Sequence, residues 1–336
     1  MMEATLYDPV GYSGARVLIT GGLGFIGSNL ARRLVDLGAE VVLIDSLHPE
    51  YGGNLVNVAG IEDRVTINIS DVRDEQSMLY LIRGHDYLFN LAGQTSHMDS
   101  MQDPYTDLEI NARAQLSILE SCRKCNPGVK IVFASTRQIY GKPEYVPVDE
   151  KHLLRPTDVN GINKMAGEWY HILYNNVYGI RACALRLTNT YGPRMRVKDA
   201  RQTFLGIWVR SVLEGKPFEV WDGGQLRDFT YVDDCVEALL AAAAGNAIDG
   251  QALNLGGADK PLGLKDVADV LVAANGGVGS YAVKPFPADR KRIDIGDYYA
   301  DDGAIRAALG WEPRVTLAAG LRRTVDFYRE HLAEYL

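Results

Sequence analysis

The stretch TGGLGFIG, residues 20–27, has the composition of a phosphate cradle. Gly21, Gly24 and Gly27 follow the apolar run RVLIT (16–20) and precede the helically spaced NLARRLVDLG (29–38). Glycines there allow a tight turn and bring backbone N–H groups close to a pyrophosphate at the positive end of a helix. Alone the pattern is weak, but between a strand and a helix of one βαβ unit it is specific. Asp45 closes the next expected strand, EVVLID (40–45), roughly twenty residues further on. A carboxylate at that place accepts from both ribose hydroxyls and repels a 2′-phosphate, so the expected dinucleotide is NAD rather than NADP. Phe25 and Ile26 in the turn, Asp71 and Val72 after the third expected strand, and Leu91 and Ala92 after the fourth complete the expected cofactor contacts. Asp71 and Val72 are placed at the adenine edge.

A second set of residues suits proton transfer. In RPTDVNGINKMAGEW (155–169) a loop runs into a helix carrying Lys164, and STRQIYG (135–141) presents Thr136 at the end of a strand. Positioning these groups takes a regular scaffold. RVTINIS (64–70), DYLFNLA (86–92), KIVFAS (130–135) and RACALRL (181–187) read as further strands, with helices over about 104–124 and 160–177. Strands alternating with helices make an α/β fold, a doubly wound parallel sheet of the Rossmann kind. After about residue 190, glycines and prolines punctuate shorter elements, which predicts a smaller C-terminal α/β lobe. The expected division is 15–190 for the cofactor and 191–336 for the substrate, partly interleaved and without a flexible linker.

Composition narrows the function classes. With 47% apolar and 23% charged residues over 336 positions, a sizeable core is available. A formal net charge of −8 argues against nucleic acid or an anionic membrane surface as partner. No apolar run reaches the ~18 residues of a spanning helix, and residues 1–14 lack a signal-like apolar core, so a cytoplasmic location is expected. Cys122 and Cys125 form a C-x-x-C inside an expected helix, without a second pair or a histidine at zinc spacing, so no metal is expected.

TGGLGFIG, LAG (91–93), STRQIYG, the lysine of NGINK, RLTNTYGPR (186–194) and RDFTYVDD (227–234) occur in this order. Together they resemble the extended short-chain dehydrogenase/reductase family, specifically the NAD-dependent nucleotide-sugar epimerases and dehydratases, over nearly the whole chain. The resemblance implies NAD on the N-terminal lobe, an NDP-sugar on the C-terminal lobe and the active site between them. It also implies a homodimer paired through the helices near 104–124 and 160–177. In that family a serine or threonine, a tyrosine and a lysine surround the sugar hydroxyl that is oxidised. Thr136 matches the first and Lys164 the last, but the tyrosine position is Asn160, with Gly161 and Lys164 fixing the register.

An amide cannot take a proton near neutral pH, so another base is required. His97, in LAGQTSHMDS, has an ordinary pKa of about 6.5 suited to the task; a desolvated Lys164 acting through Thr136 or a water is the alternative. For the substrate, the resemblance assigns Asn189 and Arg227 to the diphosphate, with Arg292 preferred over Arg290 as a second arginine; Arg194, Arg196 and Arg201 are further candidates. Where related dehydratases carry an acidic pair, this chain has Arg137 and Gln138, which disfavours elimination and decarboxylation. Epimerisation, at C4, is therefore the expected reaction. An NDP-sugar oxidoreductase or dehydratase, and an inactive NAD-binding sensor, are the alternatives.

Overall fold

The structure, a computed structural model, describes residues 11–287 and 293–336. RVLIT buries every side chain after Arg16 and forms β1 (Arg16–Thr20). It is followed by β2 (Glu40–Asp45), β3 (Val65–Ile69), β4 (Tyr87–Asn90), β5 (Lys130–Thr136) and β6 (Ala182–Leu187). The central strands are apolar almost without interruption because helices cover both faces of the parallel sheet. With the short strand Ala252–Asn254 they make one seven-stranded sheet in the order 252–254, β6, β5, β4, β1, β2, β3, every pair parallel. The chain starts mid-sheet, winds outward through β2 and β3, then returns to β4 on the other side of β1. That reversal opens a crevice beyond the carboxyl ends of β1 and β4, where doubly wound sheets bind ligands.

The expected helix near 104–124 is interrupted. Helices α1 (Phe25–Asp36), α2 (Glu75–Leu81) and α3 (His97–Gln102) precede it. It then runs as α4 (Pro104–Leu108), a π-helical turn (Glu109–Arg113) and α5 (Ala114–Cys125). Asp107, near the end of α4, and Asn111, in the π turn four residues on, meet in the interior, with Asn111 Nδ2 donating to Asp107 Oδ2 at 3.1 Å. A wider turn of this kind is a local cost often found at functional sites.

Helix α6 (Val159–Tyr178) carries Lys164. Its start is capped by Asp158, which accepts the Gly161 N–H at 2.7 Å, and it stops at Gly179 with left-handed backbone, φ 69°. Glu168, one turn after Lys164, locks the helix to the sheet. It accepts from Ser135 Oγ of β5 at 2.6 Å, and from Arg186 of β6 through Nε at 3.0 Å and Nη2 at 2.7 Å. Arg186 also donates to the Tyr140 hydroxyl at 2.6 Å, which in turn donates to Asn254 at 2.7 Å. All of these groups are buried.

Beyond β6, Asn189–Tyr191 pairs in parallel with Phe229–Tyr231, and Phe218–Trp221 with Tyr281–Lys284. The second lobe shares the core of the first: one buried cluster runs from Val17 and Leu30 through Trp208 and Val236 to Val325. Among the described residues, no helix is long and apolar enough to cross a membrane. Because Glu168→Ala would strand a buried guanidinium, it is expected to cost about 3–5 kcal/mol. Urea unfolding followed by circular dichroism measures it, and a loss under 1 kcal/mol would show that the fork is not a structural tie.

Candidate active site

Gly21, Gly24, Phe25, Ile26, Gly27, Asp45, Asp71, Val72, Leu91 and Ala92 all line the crevice at the strand ends. The glycine turn is tight. Gly21 has φ 68°, and a Cβ on Gly27 would lie 2.2 Å from the Gly21 carbonyl oxygen. No side chain caps α1 at Gly24, which leaves the first-turn N–H groups for an anion. Asp45 accepts the Leu23 N–H at 3.1 Å and the Leu47 N–H at 2.9 Å. Burial pushes its carboxyl up against those two donors, and each oxygen retains a lone pair for a ribose hydroxyl. Arg73 holds Asp71 in a fork, 2.6 Å at its shortest, and keeps that carboxyl below its usual range. The uncapped helix start, the glycine turn and the acid at the end of β2 fit a dinucleotide. Sequence reading missed Tyr51, Thr95 and Gln202 in the same wall. Gln202 comes from the second lobe, and no local signal could have placed it there.

Lys164 is buried behind the wall of this crevice and does not line it. Its Nζ donates to the Ala134 carbonyl at 3.1 Å, and both Ala134 and Gly93 face the crevice. A Cβ at position 93 would come within 2.9 Å of Lys164 Nζ and of Asn111 Oδ1, so a larger residue there would displace the lysine head or the amide. Burial pulls the lysine pKa down to about 8, opposed by Asp107.

Asn160 is turned away from chemistry. Its Nδ2 donates to the Gln94 carbonyl at 2.8 Å and to Asp107 Oδ2 at 3.0 Å. Asp107 also takes amide N–H groups from Asn163 at 2.7 Å and Asn111 at 3.1 Å. This buried carboxylate is surrounded by amides in place of a cation, and Asn160 is one of its donors. Asp107 was not singled out from the sequence; its partners Asn160 and Asn163 on α6 are reached only in the tertiary fold.

His97 stands beside the same helix end. Its Nδ1 lies 3.1 Å from Asp158 Oδ2, at an angle too far off-line for a formed hydrogen bond. Asp158 is buried and also accepts from Gln138 Nε2 at 2.9 Å. Burial works against its ionisation, but His97, the Gly161 N–H and Gln138 together hold its carboxyl below the usual range. Gln138 donates its backbone N–H to Thr136 Oγ1 at 3.2 Å, so Thr136, Gln138, Asp158 and His97 form one chain of contacts. Asp158 was not singled out from the sequence, and its contact with His97 is tertiary.

Arg227 lines a separate cleft of about 490 Å³ together with Arg137, Trp208, Phe218, Trp221 and Phe286. Asn189 sits between the two lobes, accepting from Arg137 Nη2 at 2.9 Å and donating to the Asp228 carbonyl at 2.9 Å. Arg292 and Arg290 lie outside the described residues. Arg196 is bound to Asp199 and to the Tyr51 carbonyl, Arg201 pairs with Glu50 and Asp99, and Arg194 donates to Asn29; none of the three lines the aromatic cleft. Cys122 is buried and its thiol is pushed up to about 12 by that burial.

The lowered lysine gives a signed pH prediction. Between about pH 8 and 10.5 the unfolded chain binds a proton that folded Lys164 does not, so stability rises with pH across that window. Relative to Lys164→Met, the wild type should gain on the order of 1–2 kcal/mol in urea unfolding from pH 7 to pH 9.5. A constant gap would mean that the lysine is not desolvated.

A profile of the NAD dependent epimerase/dehydratase family matches residues 17–256. The UDP-glucose 4-epimerase of Mycolicibacterium smegmatis is 30% identical over 94% of this chain and 98% of its own length. The UDP-glucose 4-epimerase of Thermotoga maritima, solved with UDP-glucose, superposes with a TM-score of 0.85 at 30% identity, covering 94% of this chain and 99% of that one. That of Thermus thermophilus, solved with NAD, gives a TM-score of 0.82 at 31% identity, with the same coverage of 94% and 99%. The crevice, its acid at the end of β2 and these likenesses agree: the chain belongs to the NAD-dependent epimerase/dehydratase family, and NAD is its cofactor.

Proposed function

We propose that this enzyme interconverts nucleotide-diphospho sugars that differ in configuration at C4, with His97 on Asp158 as its base. Gly21, Gly24, Gly27 and Asp45 would hold NAD in the crevice, and the cofactor would supply reversible hydride acceptance at the sugar carbon. The hydroxyl proton must leave together with that hydride. Asn160 cannot receive it, because its amide is committed to Gln94 and Asp107. An Nδ1–H facing Asp158 leaves the His97 Nε2 lone pair free to accept the proton, and the buried carboxylate favours the imidazolium that results. Thr136 is assigned to orient the reacting hydroxyl, Lys164 to the ribose side of the cofactor, and Arg227 with Asn189 to the diphosphate. Relatives named as UDP-glucose 4-epimerases support the choice of reaction and carbon. Arg137 and Gln138 supply no carboxylate for elimination, which favours epimerisation over dehydration.

The observation that carries this reading is the His97–Asp158 contact at the helix end where Asn160 has withdrawn. The purified protein incubated with UDP-glucose should yield the anomeric proton signal of UDP-galactose in NMR spectra. His97→Gln should lower kcat by 10²–10⁴-fold and remove the acid limb of its pH profile. Asp158→Asn should shift that limb to lower pH. An unchanged kcat in His97→Gln would assign the base elsewhere, and no epimer from a panel of NDP-sugars would end the epimerase reading.

The same proposal includes a homodimer. Ile162, Trp169, Leu173 and Val177 of α6 are each half-exposed or more, at a spacing that aligns them along the helix, with Tyr105 and Leu108 of α4 also uncovered. An apolar stripe of this extent on two adjacent helices fits a self-complementary two-fold contact. Trp169→Glu combined with Leu173→Glu should halve the mass seen by analytical ultracentrifugation; an unchanged mass would place any contact elsewhere.

A further inference from the structure

Two arginines border the aromatic cleft, and their electrostatic situations differ. Arg227 lies 3.6 Å from Asp294 and donates to the Leu226 and Gly296 carbonyls. Arg137 donates through Nη2 to the Asn189 amide oxygen and lies over the Tyr298 ring, 5.3 Å from guanidinium carbon to ring centre. Its Nη1 is buried and has no hydrogen-bond partner among the described residues. Asp228, whose charge acts on Arg137, is itself occupied: the Thr188 hydroxyl and the Ala300 N–H bind its carboxylate. Burial pushes the Arg137 pKa down, as expected for a cation whose desolvation is not offset by a close anion. A guanidinium with one buried, unsatisfied Nη and no close anion is costly, and a ligand that brings an anion removes the cost.

The chain fixes which part of a ligand Arg137 meets. It follows Thr136 directly, at the end of β5, whereas Arg227 sits among Trp221, Phe218 and Phe286 farther along the cleft. A sugar held at Thr136 with its diphosphate toward Arg227 therefore presents ring substituents to Arg137. Building on the nucleotide-sugar reading above, we infer that Arg137 binds a carboxylate on the sugar ring, so that the preferred substrate is a nucleotide-diphospho hexuronate rather than a neutral hexose. A planar guanidinium with Nη1 free suits a carboxylate, in a charge-assisted bond that lysine reproduces less well.

The test is binding by isothermal titration calorimetry on NAD-loaded protein, with UDP-glucuronate, UDP-glucose and UDP as probes. Wild type should bind UDP-glucuronate about 10–100-fold more tightly than UDP-glucose. Arg137→Met should abolish that preference while weakening UDP by less than about threefold, and Arg137→Lys should restore part of it. Equal affinities of wild type for the two sugar nucleotides would overturn the inference. So would an Arg137→Met variant that weakens UDP as much as UDP-glucuronate, since that would assign the arginine to the diphosphate. Epimer formation is read separately by NMR, so loss of the C4 reaction and loss of carboxylate recognition are distinguishable.

Discussion

The site geometry depends on one buried fork. Glu168 joins α6 to β5 and β6 through Ser135 and Arg186, one helical turn from Lys164. Buried ion pairs contribute little net stability compared with apolar packing, but their geometry is strict. Here the strictness matters, because α6 supplies the lysine and the Asp158 cap while β5 ends at Thr136. Sliding the helix by a fraction of a turn would separate Lys164 Nζ from the Ala134 carbonyl that receives it. Through Tyr140 and Asn254 the fork also reaches the strand contributed by the second lobe. Cofactor crevice and substrate cleft are thereby held to a single reference.

The second constraint is how α6 begins. With an amide at 160, the helix start is organised around two buried carboxylates. Asp107 is surrounded by the amides of Asn111, Asn160 and Asn163 and serves to hold the helix against the π turn. Asp158 faces His97 and Gln138 and borders the turn that follows Thr136. A phenol at 160 could not supply the N–H that Asn160 gives Asp107, and would leave that acid with fewer donors. The substitution therefore belongs to a local network and is not an isolated loss. Desolvation acts on all of these groups in one direction: it lowers Lys164, opposes ionisation of Asp158 and raises Asp45.

Charge is arranged differently on the two sides of the active centre. The cofactor crevice is neutral to acidic, with backbone N–H groups as its anion donors and Asp45 and Asp71 at its far end. The second cleft is aromatic and bordered by two largely buried arginines, Arg137 and Arg227. A ligand carrying negative charge in its middle and an aromatic ring at one end matches that distribution better than a neutral one.

Much of this protein was legible in the residue string, because those signals are local. Gly21, Gly24 and Gly27 announce their turn through steric need, Asp45 is reached by counting along a βαβ unit, and the strands declare themselves by apolar runs. The loss of the phenol at 160 is equally visible, since Gly161 and Lys164 fix its register. Other features arise from contacts between distant segments. The burial of Asp107 under α6, the Gln202 that closes the cofactor wall, the seventh strand at 252–254 and the approach of His97 to Asp158 leave no periodic trace. Asp158 was not singled out from the sequence, and Arg137 looked like the absence of an acid. Their roles depend on what stands opposite them in space, which backbone hydrogen bonding and hydrophobic periodicity do not encode.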